Sequence, residues 1–254
     1  MLIKMVKKRT FLILSSLIIL LIVYLFPTKK EDKTYIQNEN TDFSIVYLID
    51  QNNLLSRVSV VTKNTNIDNQ IKEITEYLTY GSNKKDYLSD GFKPVIPKGT
   101  KLLYFKIDDD LLTLNFSKKL LTITEEDEKK LISSLVYTYT SIDGINKITI
   151  YVEGNLLDRL PNSNEKIPQI IDKSYGINQI YNITDINGTT KTTIYYLSKY
   201  KDYYYYVPVT LINNDKSDKV EIFQIAKVFN LEIKDYGVDS ILLESVKTEE
   251  KNND

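Results

Sequence analysis

The 254-residue chain contains no cysteine and no histidine. It can therefore form no disulfide, no thiolate metal site, no cysteine nucleophile and no imidazole base, which excludes most familiar catalytic arrangements. The sequence has only 8 glycines and no glycine-rich phosphate loop. The remaining composition, with 42% hydrophobic and 26% charged residues, is that of a globular protein.

The N-terminus has the pattern of a membrane anchor. Four cations within residues 1–9 precede an uncharged, largely apolar run of about 17 residues, 10–26, which ends before Pro27. That length is the short end of a bilayer-spanning helix. Because the larger basic cluster comes first, we expect a single-pass protein of the cell membrane with a cytoplasmic N-terminus and extracytoplasmic C-terminal domains. A cleaved signal peptide is the alternative, but no small-residue cleavage site follows the run.

The charge balance makes nucleic acid a poor partner for the part of the chain that follows the anchor. The chain has 33 Lys and Arg against 34 Asp and Glu, and removing the four cations of residues 1–9 changes the net charge from −1 to −5. Only three of the cations are arginines, Arg9, Arg57 and Arg159. The sequence shows no basic stripe, so we expect neither nucleic acid nor an anionic lipid surface as a partner.

The first half of the body predicts a hairpin followed by a helix. Residues 43–61 read as two strands joined by turn-forming residues at 50–53. In the helix that follows, Thr65-x-x-Asp68 resembles a capping box and Gly81 is placed to end the helix. Helical spacing predicts a buried face formed by Ile71, Ile74 and Leu78.

Two further strands, a second helix and a final strand are predicted next. The two strands flank an acidic turn at 108–110. Alternation points Leu103, Phe105 and Ile107 one way in the first strand, and Leu112, Leu114 and Phe116 do the same in the second. The helix begins near Thr124, where Thr124-x-x-Asp127 is again box-like. Its buried face is Leu131, Ile132, Leu135, Val136 and Tyr139, and the last strand carries Ile148, Ile150 and Val152. The order β-β-α-β-β-α-β predicts an α+β fold with two helices on one face of a mixed sheet.

An internal repeat divides the rest of the chain. A gapless shift of 149 residues superposes Ile45 on Ile194, Tyr47 on Tyr196, Leu48 on Leu197, Val58 on Val207, Val60 on Val209, and KDY at 85–87 on KDY at 234–236. The hairpin therefore recurs, with a helix at 219–229, but the second copy is incomplete. The predicted organisation is an anchor at 1–28, a flexible tether at 29–42, a full domain at 43–155, a connector at 156–191 and a partial second copy with a charged tail at 192–254.

Six short segments follow one another through the full domain: VYL at 46–48, PVIPKGT at 94–100, LNFSK at 114–118, LVYTYT at 135–140, GI-x-K at 144–147 and VEG at 152–154. In this order and at this spacing they resemble the GerMN domain of GerM-type sporulation and spore-germination proteins. Residues 160–178 are also similar to the family's between-domain connector. Proteins of this type carry two such domains in tandem behind a membrane-targeting segment, which agrees with the repeat.

The resemblance implies a non-enzymatic role at the cell envelope. The family's fold is similar to the ring-building motif of secretion-ring proteins, and in spore formers the family supports an assembly between two membranes. Two features depart from the family pattern. Many relatives are lipoproteins, whereas this chain has no cysteine to lipidate, and the second domain is incomplete. Related domains also occur in bacteria that do not sporulate.

The sequence provides no catalytic, cofactor-binding or metal-binding residues. Ser-x-x-Lys occurs at Ser82, Ser163 and Ser198, a frequency that chance explains, and the partner motif Lys-Thr-Gly is absent. The three aspartates at 108–110 could ligate calcium, although an acidic hairpin tip is the simpler interpretation. Two distant carboxylates could also form a glycosidase pair, but no pair is indicated.

Seven tyrosines crowd the repeated hairpin: Tyr195, Tyr196, Tyr200, Tyr203, Tyr204, Tyr205 and Tyr206. Strand alternation places some on the core face and some on the solvent face. The simpler interpretation is ordinary β-propensity with cross-strand packing. The alternative is that the outward rings contact peptidoglycan or a protein.

Two functions follow. The first is a membrane-anchored, non-enzymatic interaction or assembly protein that binds other envelope proteins or copies of itself outside the membrane. The alternative is a peptidoglycan-binding or carboxylate-dependent peptidoglycan-processing envelope protein.

Overall fold

A computed structural model describes residues 41–63, 66–183, 187–201 and 203–214. The predicted anchor, nearly all of the tether, the repeat helix at 219–229 and the charged tail lie outside the described residues. Within these residues, no helix combines the length and the apolar character needed to cross a membrane.

The first hairpin and helix form as the sequence predicts. Strands β1 (Thr41–Ile49) and β2 (Leu55–Lys63) pair antiparallel along their whole length. Helix α1 (Ile67–Leu78) packs against both strands, and its predicted face, Ile71, Ile74 and Leu78, is buried.

The predicted ends of α1 were wrong. Asn66 caps the helix, with its side chain accepting a hydrogen bond from the Asn69 N–H at 2.8 Å, so the Thr65-x-x-Asp68 box does not set the start. The helix ends at Leu78, where Thr79 is already extended. Gly81, with φ of 74°, lies in the turn beyond the end.

In the second half of the domain, a helix connects two neighbouring parallel strands. Strand β3 (Leu102–Asp108) pairs antiparallel with β4 (Leu111–Phe116), and helix α2 (Glu125–Tyr139) connects β4 to the parallel strand β5 (Lys147–Val152). A short strand, β6 (Asn155–Leu156), follows. The predicted core faces of β4, α2 and β5 are confirmed: Leu112, Leu114, Phe116, Leu131, Ile132, Leu135, Val136, Tyr139, Ile148, Ile150 and Val152 are all buried.

Two local predictions in this half were wrong. A β-bulge between Leu102 and Tyr104 breaks the alternation of β3, so Leu103 is exposed and Phe105 and Ile107 are only half-buried. Thr124 is the N-cap of α2 as predicted, but its hydroxyl donates to the Asp127 carboxylate at 3.3 Å and caps no backbone N–H.

The predicted single mixed sheet was also wrong, because the described strands form two sheets. One sheet has the order β3-β4-β5-β6. The other contains β1, β2, a short strand β7 (Ile180–Asn182) and the second hairpin, β8 (Thr190–Tyr200) and β9 (Tyr203–Asn213). Strand β9 takes the free edge of β2, pairing antiparallel at Arg57 and Tyr206, and so excludes β3 to β5 from that edge. Helix α2 contacts β1 and β5, and one hydrophobic core extends through both sheets.

The second hairpin is confirmed, but its register differs from that of the first by one residue. Val58 pairs with Val46 in the first hairpin, whereas its repeat equivalent Val207 pairs with Tyr196. A gapless shift of 149 would require Tyr195 as that partner. The repeat therefore holds for β2 and β9, while β8 is displaced by one position, which moves its side chains to the opposite faces.

Candidate interaction surfaces

Strand β3 leaves an apolar edge open. It is the terminal strand of the four-stranded sheet, and no described strand pairs with its outer side. None of its residues is buried, and Leu103 and Tyr104 are 48% and 52% exposed. Phe105 is covered only partly, with the Lys72 ammonium 5.9 Å from its ring centroid. An edge of this kind offers backbone hydrogen bonds and apolar side chains to another chain.

The tyrosine-rich hairpin divides its rings between the core and solvent. Tyr205 is buried and packs edge-on against Phe92 at 4.9 Å, whereas Tyr204 is 52% exposed with the Lys199 ammonium 5.0 Å from its ring. Strand alternation therefore divides the tyrosines of this hairpin, as the sequence predicts. The outward rings of the hairpin join the solvent face of the five-stranded sheet.

The tip of that hairpin is held by the loop that follows α1. Phe92 also packs edge-on against Tyr203, with 6.0 Å between the ring centroids. A Cβ built on Gly91 would lie 2.6 Å from the Tyr200 ring, so that ring rests directly on the glycine backbone. The Lys201 ammonium lies 3.7 Å from Asp90. Tyr200 and Tyr203 therefore stabilise the fold and are not primarily binding residues.

A row of side chains crosses the solvent face of the five-stranded sheet. Tyr47 pairs with Arg57, Arg57 with Tyr206, and Tyr206 with Leu197, so four neighbouring strands contribute one residue each. Paired residues of antiparallel strands point to the same face. Tyr47, at one end of the row, is buried, Arg57 and Tyr206 are half-buried, and Leu197, at the other end, is 44% exposed.

Two buried carboxylates hold distant segments together. Asp50 accepts hydrogen bonds from the Asn52 and Leu54 N–H groups at 2.8 and 3.0 Å, and from the Ser56 and Tyr205 hydroxyls at 3.0 and 3.1 Å. These bonds join the first hairpin turn to the second hairpin. The sequence pattern indicates only a turn role for Asp50, because its contact with Tyr205 spans 155 positions.

Glu128 joins α2 to the connector. Its carboxylate accepts hydrogen bonds from the Asn162 N–H at 2.9 Å, the Ser163 N–H at 3.0 Å and the Asn162 side-chain amide at 3.2 Å. Burial acts to raise the pKa of Glu128, but these donors outweigh burial and hold the pKa below its ordinary value. The carboxylate is therefore ionised and serves as a structural anchor.

A groove of about 520 Å³ lies beside the C-terminal end of α1. Its lining is largely polar, and Glu76 is its only carboxylate among the described residues. A glycosidase needs two carboxyl groups across the scissile bond, so the groove does not provide that pair. Lys72 and Lys101 line it as well, and the buried Thr100 hydroxyl at its wall has no hydrogen-bond partner.

The aspartates of the β3–β4 turn interact with lysines. Asp108 lies 3.4 Å from the Lys106 ammonium and Asp110 lies 3.2 Å from that of Lys147. Hydrogen bonds from Lys147 and Asn146 lower the pKa of Asp110. No group of three or more acidic residues suited to a metal ion occurs within the part of the chain that the structure describes.

The serines of the three Ser-x-x-Lys segments make other contacts. The Ser82 hydroxyl donates to the Glu76 carbonyl at 2.6 Å, and the Ser198 hydroxyl donates to the Tyr205 hydroxyl at 3.1 Å. Ser163 accepts a hydrogen bond from the Glu165 N–H at 3.4 Å. Each segment is thus part of a turn or of hairpin packing.

Comparisons with known proteins agree with this architecture. Residues 45–158 match the model of the Germane family, described as sporulation and spore germination. The spore germination protein GerM of Bacillus subtilis (strain 168) is 29% identical over 185 residues, which cover 72% of this chain and 50% of that protein. The chain therefore spans about half the length of this curated relative.

A solved structure of the same relative shares the fold. The tandem GerMN domains of the sporulation protein GerM from Bacillus subtilis superpose with a TM-score of 0.64 at 27% identity, covering 70% of this chain and 63% of that one. The first GerMN domain alone gives a TM-score of 0.48 at 25% identity, covering 52% and 98%. Residues 45–158 are therefore a GerMN domain of the Germane type, described as sporulation and spore germination, and are homologous to GerM of Bacillus subtilis.

Proposed function

We propose that the protein is a membrane-anchored, non-enzymatic assembly protein that acts outside the membrane, at the cell envelope, by binding other proteins or copies of itself. The GerMN domain and the sporulation and germination names of its relatives support this assignment. The basic cluster and apolar run of residues 1–26 support a single-pass anchor with the N-terminus in the cytoplasm.

The observation that carries the proposal is the open edge of β3. Leu103 and Tyr104 are exposed beside an edge that no described strand covers. Proteins usually protect such edges, because an open edge pairs readily with another chain. Strand addition supplies affinity through backbone hydrogen bonds and specificity through alternate side chains. An apolar edge strand therefore suits an assembly module.

Crosslinking with mass spectrometry on intact cells expressing the full chain tests the proposal. We expect links from the 43–155 domain to another envelope protein or to a second copy, and the N-terminal peptide of the same sample reports whether the anchor is retained. Tyr104→Ser should reduce these links severalfold. Tyr181→Ser is the matched control, because Tyr181 is similarly exposed, at 59%, but lies in β7 of the other sheet.

Two results would contradict the proposal. Links that fall equally in both variants would exclude the β3 edge as the contact. An absence of protein links, together with sedimentation of the chain with purified cell wall, would favour the peptidoglycan-binding alternative.

A further inference from the structure

Arg57 is a half-buried cation without a protein partner. Its guanidinium makes no hydrogen bond and no ion pair with any residue that the structure describes. A guanidinium carries five N–H donors in a planar fork that fits a carboxylate. Leaving those donors unpaired in a partly desolvated position is unfavourable, so the site favours an acceptor from outside the chain.

The backbone of a second cationic residue, Lys173, is hydrogen-bonded to a tyrosine that packs beside this position. The Tyr137 hydroxyl donates to the Lys173 carbonyl at 3.0 Å, and the Tyr137 ring packs edge-on against Tyr47, the cross-strand neighbour of Arg57. Partial desolvation and the positive charge of Arg57 lower the pKa of Lys173. Like Arg57, Lys173 has no ion-pair partner within the described ranges. The two cations therefore repel each other across a tyrosine pair.

The one carboxylate close to this pair among the described residues, Asp172, offsets only part of the positive charge. The carboxylate of Asp172 accepts a hydrogen bond from the Ser174 N–H at 2.8 Å, which caps the short helix there. The Lys191 ammonium donates to the Ser174 carbonyl at 3.1 Å and adds a third positive charge to this side of the sheet. The local balance is therefore positive, although the chain as a whole is not.

Aromatic and apolar side chains surround Arg57. We define the hairpin surface as six residues on the solvent face of β2, β8 and β9: Arg57, Tyr195, Leu197, Lys199, Tyr204 and Tyr206. Tyr and Arg are the residue types that supply much of the binding energy in protein interfaces. Leu197 and Tyr204 are well exposed, so the surface offers apolar contact area around a central cation.

We propose that the hairpin surface binds an acidic segment of a partner protein, in which an Asp or Glu carboxylate pairs with Arg57 and Lys173 while neighbouring apolar side chains pack on Leu197 and Tyr204. The inference rests on the proposed function and identifies a second contact surface with the chemistry of its partner. A protein segment fits better than a wall polymer, because the exposed leucine and the tyrosine rings complement apolar side chains and a polyanion lacks these.

Fluorescence anisotropy on the full chain in detergent micelles tests this surface. The probe is a labelled 12-residue peptide that alternates Glu with Leu and Phe, and its matched control carries Gln in place of every Glu. We expect the Glu peptide to bind at least about tenfold more tightly than the Gln peptide, since a bidentate, charge-assisted pair is lost in the second. Affinity for the Glu peptide should fall as salt is raised.

Two charge variants locate the binding. Arg57→Gln should weaken the Glu peptide by about tenfold or more, as loss of a central interface arginine does. Arg159→Gln removes the same charge from an exposed arginine of the connector, outside the hairpin surface, and should change affinity less than about twofold. Circular dichroism of both variants checks that the fold is intact.

Three outcomes would overturn the inference: equal binding of the two peptides, equal loss in the two variants, or binding of soluble poly(glycerol phosphate) in preference to the Glu peptide. A photo-crosslinker in place of Tyr204 in intact cells separates this inference from the proposed function. Protein links elsewhere on the chain, with none from position 204, would refute only the hairpin surface. An absence of protein links from the whole chain would refute the proposed function as well.

Discussion

The Asn178 side chain binds the backbone of Leu55 as a neighbouring strand would. Its Oδ1 accepts a hydrogen bond from the Leu55 N–H at 2.9 Å, and its Nδ2 donates to the Leu55 carbonyl at 2.8 Å. Nδ2 also donates to the Pro208 carbonyl at 2.7 Å. One connector residue thus joins β2 to β9 where the direct pairing of these strands ends. We expect it to contribute strongly to stability.

Asn178→Ala should lower the free energy of unfolding by about 2–4 kcal/mol, because it leaves buried backbone groups of both hairpins unpaired. Chemical denaturation followed by circular dichroism measures the change. Asn164→Ala is the matched control, since Asn164 also has a positive φ, of 57° against 46° for Asn178, but makes no side-chain hydrogen bond within the described residues. If the two variants lose similar amounts of unfolding free energy, the cause is the positive φ of the replaced residue and not the side-chain hydrogen bonds of Asn178.

Gly91→Ala should destabilise the fold by about 1–3 kcal/mol, the range for overpacking a filled site. The added Cβ would lie 2.6 Å from the Tyr200 ring, so the ring must move and the tip of the second hairpin with it. A double-mutant cycle with Tyr200→Ala tests the cause, because removing the ring removes the clash. If the two losses simply add, steric contact with Tyr200 is not the explanation.

Glu128 should make stability dependent on pH in the acidic range. Its folded-state pKa is lowered, so its contribution is present above the ordinary Glu pKa of about 4.3 and is lost as pH falls through the lowered value. At pH 7, Glu128→Gln should cost about 1–3 kcal/mol. Urea denaturation between pH 7 and pH 3 should show this cost shrinking below about pH 4.3.

Glu126→Gln is the control for that series, because Glu126 lies on the same helical turn but is largely exposed. Its effect should be small and nearly independent of pH. A constant difference between the wild type and Glu128→Gln across the series would show that the charge of Glu128 has no role.

Tyr205→Phe should lower the free energy of unfolding by about 1–2 kcal/mol, because it removes a hydroxyl donor from the buried Asp50 carboxylate. The neighbouring substitution Tyr204→Phe should cost less than about 0.5 kcal/mol, since that ring is exposed. Thermal unfolding of the two variants gives the comparison. If Tyr205→Phe and Tyr204→Phe lower stability equally, the Tyr205 hydroxyl contributes nothing and Tyr205 stabilises the fold only through the packing of its ring against Phe92.

Local periodicity predicted the elements of the first domain well. The buried faces of α1, α2, β4 and β5 follow from spacing alone, because each element packs one stripe against the same core. The exposure of Leu103 was not predicted. A β-bulge depends on how β3 and β4 pair, whereas the prediction used only the alternation within β3. The cap of α1 was misassigned by one residue, since Asn66 and Thr65 both suit the position.

Long-range pairing could not be predicted from the same signals. A hairpin with two apolar faces gives no indication of which edge it will occupy, so the pairing of β9 with β2 and the resulting two sheets were not predicted. Arg57 left one trace in the sequence, as one of three arginines among many lysines. That Arg57 forms no ion pair with a described residue follows only from the three-dimensional contacts around it.

The contact between β2 and β9 has a symmetry that bears on how the protein assembles. Arg57 and Tyr206, where the strands meet, are 149 positions apart, which is the spacing of the repeat. Equivalent strands that pair antiparallel at equivalent residues are related by an approximate two-fold axis, as in a homodimer closed by strand pairing. Here both halves belong to one chain, so their encounter is intramolecular. The melting temperature of this sheet should therefore be independent of protein concentration, whereas that of a true dimer would rise with it.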